Sequence, residues 1–142
     1  MKVGFIGLGK LGLPVSMAIE EKGHEIYGYD INKDIPGYIK SKKIPYKEEG
    51  ANKLLKKTKI KFVEPNQIVK NCRLIFIAIE TPHEKKFEGI TKIPNKRKDF
   101  NYDKLALGTK SLFEEIKKQK TQTTVVVIST VLPGTMRSKI LI

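Results

Sequence analysis

Val3-Gly4-Phe5-Ile6-Gly7-Leu8-Gly9-Lys10-Leu11-Gly12-Leu13-Pro14 is the stretch that decides the architecture of this chain. Val3 to Ile6 reads as a short buried strand, and the apolar positions from Pro14 to Lys22 read as a helix. Gly23-His24 then turns the chain into a second strand, Glu25 to Tyr29, which completes one βαβ unit. Glycines at 7, 9 and 12 suit the strand-to-helix turn of such a unit. One makes the bend, one lets backbone approach an anion closely, and one lets helix and strand pack against each other. The helix start presents unpaired N–H groups and the positive end of the helix dipole, a setting that stabilises a pyrophosphate without help from a cation such as Lys10.

The second strand ends at Asp30, 18 residues beyond Gly12. That is close to the spacing at which a carboxylate accepts hydrogen bonds from the adenosine ribose of a dinucleotide. The same negative charge repels a 2′-phosphate, so the pattern points to NAD over NADP, with Lys33 near enough in sequence to soften the preference. A plainer reading stays open, in which the glycines only pack a βα turn and Asp30 only caps a helix.

Beyond this unit, strand-like and helix-like segments keep alternating, the pattern of an α/β, doubly wound parallel sheet of the Rossmann type. Lys33 to Lys40 is a weak or broken helix, since Pro36 fits only a first turn and Gly37 costs about 1 kcal/mol relative to Ala. Ala51 to Lys57 reads as helix, Ile60 to Val63 as strand, Pro65 to Asn71 as helix and Leu74 to Ile79 as strand. Tyr102 to Lys118 places Leu105, Leu112, Phe113 and Ile116 on one helical face, and Val125 to Ile128 supplies a fifth, fully buried strand. The Lys-rich segment from Pro82 to Phe100 has neither period and is expected to be an exposed loop. The chain closes on the apolar Ile140-Leu141-Ile142, where a complete domain more often frays into polar residues. Truncation is therefore expected.

At 142 residues the chain can bury a core without disulfides or metal. It contains no run near the roughly 20 apolar residues that span a bilayer. Its formal charge is +13, yet only Arg73, Arg97 and Arg137 among its 28 basic residues are arginines. Dispersed lysine makes a solvated surface, and no nucleic-acid reading motif accompanies it, so neither a nucleic-acid nor a membrane partner is expected. A single cysteine and no export signal fit a cytoplasmic protein.

Gly7 to Pro14 resembles the opening of the UDP-glucose/GDP-mannose 6-dehydrogenase family, and two later stretches agree with it. Ile77-Ala78-Ile79-Glu80-Thr81-Pro82 resembles that family's fourth-strand ending, and Ser129-Thr130-Val131-Leu132-Pro133-Gly134-Thr135 its fifth. Hydroxyisobutyrate and 6-phosphogluconate dehydrogenases share a similar glycine turn, usually without Leu-Pro after it or the later Ser-Thr-Val-x-Pro-Gly-Thr, and form the alternative, beside a noncatalytic NAD-binding module. Glu48-Glu49-Gly50 matches the family's Glu-Pro-Gly-Leu segment only loosely, and Asp99-Phe100-Asn101-Tyr102 stands for its Asp-Leu-Ser-Tyr-like stretch after a longer loop.

The resemblance implies a hydride passed from the C6 alcohol of a nucleotide sugar to NAD, capture of the aldehyde by a cysteine, and a second oxidation toward the uronate. It places Thr81 near the nicotinamide ribose and Thr130 beside the nicotinamide and the reacting carbon, in a supporting catalytic role. Both threonines follow strands whose carboxyl ends border the ligand crevice of an open α/β sheet. The expected cofactor contacts are Gly7, Gly9, Lys10, Leu11, Gly12, Asp30, Lys33, Thr81 and Thr130. Cys72 precedes its strand, on the side away from that crevice, and is read as a structural thiol, so the nucleophile belongs to a later segment. No other candidate ligand stands at metal-ligand spacing from His24 or His83 in the sequence, and no metal site is expected. The resemblance also implies that residues 1–142 are the N-terminal NAD-binding domain of a longer enzyme, cut before its sixth strand, and that this parent enzyme is a homodimer or higher oligomer.

Overall fold

The computed structural model describes residues 1–87, 89–90, 92–95 and 98–141; Arg97 and Ile142, named above, lie outside the described residues. Among the described residues five parallel strands form one sheet: β1 (Lys2–Ile6), β2 (Glu25–Tyr29), β3 (Lys61–Phe62), β4 (Leu74–Ile77) and β5 (Thr124–Val127). Their spatial order is β3-β2-β1-β4-β5. The chain moves outward from β1 through β3, then returns to the other side of β1 as β4. Strand order therefore reverses between β1 and β4, where sheets of this kind bind their ligands.

Among the described residues five α-helices connect the strands: α1 (Gly12–Glu21), α2 (Ile35–Ser41), α3 (Ala51–Lys57), α4 (Pro65–Asn71) and α5 (Asp103–Gln119). The period-2 alternation of the strands sends side chains to two cores. Val3, Phe5 and Ile26 pack with Leu13, Met17, Ile35 and Leu55 from α1, α2 and α3. Ile6, Tyr27, Ile75 and Ile77 pack with Ile68, Leu105 and Leu112 from α4 and α5. Each core buries roughly ten side chains, and burial of one Leu, Ile or Phe contributes about 1.5–3 kcal/mol before entropy is counted.

Several expectations are corrected. β5 is half-buried, because it pairs only with β4 and stands at the edge of the described sheet; its valine run reflects two apolar faces that are only partly covered. Phe113 is 41% exposed. The buried stripe of α5 runs Leu105, Thr109, Leu112, and the step to Phe113 turns off it. Residues 33–40 hold a real helix, beginning at Ile35 with Pro36 in its first turn, where the missing N–H has no intrahelical acceptor in any case. β4 pairs only as far as Ile77, two residues short of the expected end, and the 82–100 loop contains a short 3-10 turn at Lys85–Phe87. A single π-type turn, Met136–Ile140, follows Gly134 and buries Ile140 against the α5 side.

Candidate functional site

Strand register brings the site together. Ile6 pairs with Tyr29 and with Ile77, and Ile77 pairs with Val127, so four strands end at one level. Gly7, Asp30, Ala78 and Ile128 are the next residues of those four strands. The crevice between the β1 and β4 exits is thus lined from both sides by sequence that leaves the sheet at a common height.

The three glycines of the turn do different things. Gly7 has φ +98°, and a Cβ there would lie 2.6 Å from the Ala78 carbonyl oxygen. It is the bend, pressed against the β4 exit. A Cβ on Gly12 would overlap the Gly7 carbonyl oxygen, so this glycine is required for α1 to start where it does. A Cβ on Gly9 would meet nothing within 4 Å. Neither strain nor packing within the described residues explains a glycine at position 9. The open space in front of it is a cradle that a side chain would fill.

The N–H groups of Lys10 and Leu11 have no hydrogen-bond acceptor among the described residues, while Leu13 N–H begins the helix by donating to the Gly9 carbonyl at 3.1 Å. Both residues are exposed. Unpaired donors at a helix start, in front of an open glycine, fit the pyrophosphate of a dinucleotide. Asp30 holds the start of the same turn and is half-buried. Its Oδ2 accepts the Leu8 N–H at 2.6 Å and its Oδ1 accepts the Asn32 N–H at 2.8 Å. The carboxylate therefore fastens the glycine turn to the β2 exit, and each oxygen keeps a lone pair for a further donor. Lys33 is exposed on the same β2–α2 connection.

Across the crevice, Thr81 Oγ1 donates to the Thr130 carbonyl at 2.8 Å. The two threonines that sequence placed at one end of the site are joined directly, tying the β4 exit to the β5 exit. Ser129 Oγ, one residue earlier, is buried without a hydrogen-bond partner among the described residues. Cys72 is fully buried at the opposite end of the sheet, and desolvation pushes its thiol up to about 11. No group of three or more His, Cys, Asp or Glu among the described residues could hold a metal ion, and no described helix is long and apolar enough to cross a membrane.

Two contacts were missed by sequence reasoning. Tyr46 Oη donates to the Gly9 carbonyl at 3.4 Å, bringing the α2–α3 connection against the glycine turn. Burial raises the Tyr46 phenol above its ordinary range, with the Glu48 charge adding to the effect. Gly108 on α5 lets Ile79 pack against the helix backbone, where a Cβ would collide with it. Neither contact has a sequence signal, since one comes from an aperiodic loop and the other from a glycine inside an otherwise regular helix.

A parallel sheet in this order, with a glycine turn at its switch point and a carboxylate at the end of the neighbouring strand β2, defines a dinucleotide-binding domain. Over residues 1–142 the chain matches the UDP-glucose/GDP-mannose dehydrogenase family, NAD binding domain, and it belongs to that family. The GDP-mannose 6-dehydrogenase of Pseudomonas syringae pv. syringae is 26% identical over 146 residues, which cover 99% of this chain and 31% of that protein. The crystal structure of a ternary complex of GDP-mannose dehydrogenase from Pseudomonas aeruginosa superposes with a TM-score of 0.81 at 25% identity, over 99% of this chain and 31% of that one. A UDP-glucose dehydrogenase from the archaeon Pyrobaculum islandicum shares the fold with a TM-score of 0.75 at 22% identity, over 94% of this chain and 30% of that one. The chain thus spans about a third of the length of these relatives. The choice left open by the glycine turn alone is settled for the nucleotide-sugar dehydrogenases, and NAD is the cofactor of the domain.

Proposed function

We propose that this chain is the N-terminal, cofactor-binding part of a longer nucleotide-sugar 6-dehydrogenase, which oxidises the C6 alcohol of a UDP- or GDP-sugar to the uronate with two NAD. The observation that carries this reading is Gly9, open to solvent between two glycines fixed by packing, with Asp30 bonded to Leu8 beside it. In this reading the N–H groups of Lys10 and Leu11 and the positive end of α1 hold the pyrophosphate. Gly7 and Gly12 shape the turn, Asp30 accepts the adenosine ribose hydroxyls and opposes a 2′-phosphate, and Lys33 moderates that opposition.

Thr81 lies toward the nicotinamide ribose, and Thr130 lies beside the nicotinamide, where it supports the chemistry by aligning substrate or water. When bound, NAD supplies the hydride acceptor for both oxidations. The nucleophilic cysteine comes from polypeptide beyond this chain, because Cys72 is buried at the far end of the sheet and its raised pKa keeps it a neutral thiol. These residues alone bind cofactor and do not turn over. The parent enzyme is a cytoplasmic homodimer or higher oligomer, with a nucleotide sugar as its substrate and neither nucleic acid nor membrane as a partner.

Calorimetric titration with NAD and with NADP tests the reading. Saturable NAD binding, weaker NADP binding, and loss of the difference in Asp30→Ala support it; a wild-type chain that binds neither nucleotide refutes it.

A further inference from the structure

The β5 exit is held by a second polar tie besides Thr81. Leu132 N–H, two residues past Thr130, donates to Tyr102 Oη at 3.3 Å. Tyr102 is 5% exposed and stands immediately before α5. Its hydroxyl donates to Asp99 Oδ1 at 2.7 Å, which leaves an oxygen lone pair to accept from Leu132. Asp99 is fixed in turn. Its Oδ1 also accepts the Phe100 N–H at 2.8 Å, and its Oδ2 accepts from Lys139 Nζ at 2.8 Å. The Lys139 ammonium lies 5.1 Å from the centre of the Tyr102 ring. A cavity of about 700 Å³, lined in part by Pro82, Phe100, Tyr102 and Ser138, borders this network, so polar ties face open volume on that side.

The ring of Tyr102 packs in the α5-side core, a role that a phenylalanine would fill equally well. Its hydroxyl is spent wholly on Asp99 and on the backbone that carries Thr130. We propose that Tyr102 is a positioning residue for the nicotinamide side of the cofactor site, acting through Leu132 to hold the Thr130-Val131 backbone, with Asp99 and Lys139 orienting the phenol. The inference rests on the NAD-binding reading above. It assigns to this network one end of the cofactor only. The glycine turn and Asp30 belong to β1 and β2, and none of the hydrogen bonds of Tyr102, Asp99 or Lys139 reaches them.

The test compares NAD with ADP-ribose, which keeps the adenosine, pyrophosphate and second ribose and lacks the nicotinamide. Tyr102→Phe is expected to weaken NAD about fivefold, the net worth of about one hydrogen bond, while ADP-ribose affinity stays within about twofold of wild type. Asp99→Asn, which leaves the ring in place, is expected to show the same selective loss. Equal weakening of both ligands, or no change for either in both variants, overturns the proposal. Wild-type protein that binds neither ligand overturns the NAD-binding reading itself, an outcome distinct from loss of selectivity in the variants.

Discussion

The Leu8 N–H, inside the glycine turn, donates to Asp30 Oδ2 at 2.6 Å, so the residue that faces the adenosine ribose in the proposed site is also a strut of the turn. The two roles are separable. Asp30→Ala leaves the Leu8 and Asn32 N–H groups without their acceptor, at a cost of about 1–3 kcal/mol to stability. The same change removes the charge that opposes a 2′-phosphate. The expected outcome is a lower melting temperature, weaker NAD binding, and an NAD-to-NADP affinity ratio that collapses toward one. A ratio unchanged from wild type, measured by calorimetry, would confine Asp30 to the structural role.

The Thr81–Thr130 bond makes a different prediction. Thr81→Val keeps the shape of the side chain and removes the donor to the Thr130 carbonyl. Thr81 is only partly buried, so water can replace the lost partner and stability should fall by no more than about 1 kcal/mol. NAD affinity is expected to drop several-fold, with ADP-ribose affected less. If the Thr81→Val variant and Tyr102→Phe are combined, their effects on NAD should exceed the sum of the two, because both hold the same β5 exit; strict additivity would show that the ties act independently.

Fold and site were legible in the sequence to different depths. The βαβ unit could be read because glycine spacing, strand pattern and Asp30 are all local, and the structure brings them together through strand register. The open and packed roles of the three glycines could be named in advance, but which glycine held which role depended on where Ala78 and the Gly7 carbonyl sit. β5 was misread because an apolar run reports what could be buried, and its neighbours in space decide what is. Phe113 was misplaced because a polar residue, Thr109, occupies the stripe that hydrophobicity alone assigns to larger side chains. The Tyr46 contact was missed because it reaches backbone 37 residues away from a connection without period, and the Tyr102 hydroxyl, though its residue begins the expected helix, bonds backbone 30 residues on, which no local pattern reports.

Cys72 gives a prediction about pH. Burial raises its thiol from an ordinary value near 9 to about 11, so the folded state favours the neutral form. Such a group contributes stability that is fully present below the unfolded pKa and is lost as pH rises through the folded one, here between about 9 and about 11. Between pH 7 and 8.5 the native thiol should resist alkylation by iodoacetamide, while protein unfolded in guanidinium labels at the rate of a free cysteine. Cys72→Ser is expected to bind NAD as wild type does. Rapid labelling of the native protein would contradict the burial, and loss of NAD binding would contradict the assignment of Cys72 to structure.

Gly9 and Gly12 provide the sharpest separation of fold from function, since the same substitution should fail in two different ways. Gly12→Ala puts a methyl group where the Gly7 carbonyl oxygen already is, and with that backbone carbonyl and the short Ala78 side chain as its neighbours there is no flexible side-chain end to yield. Overpacking of this kind costs about 1–3 kcal/mol, so the variant should melt earlier and lose NAD binding along with its structure. Gly9→Ala meets no protein atom within 4 Å, and position 9 does not require a positive φ. Its melting temperature should match wild type or rise slightly, because alanine restricts the unfolded chain more than glycine does. Its methyl group occupies the space assigned to the pyrophosphate, and the expected loss of NAD affinity is tenfold or more, about 1.4 kcal/mol at least. A Gly9→Ala protein that folds and binds NAD as tightly as wild type would place the cofactor somewhere other than the glycine turn.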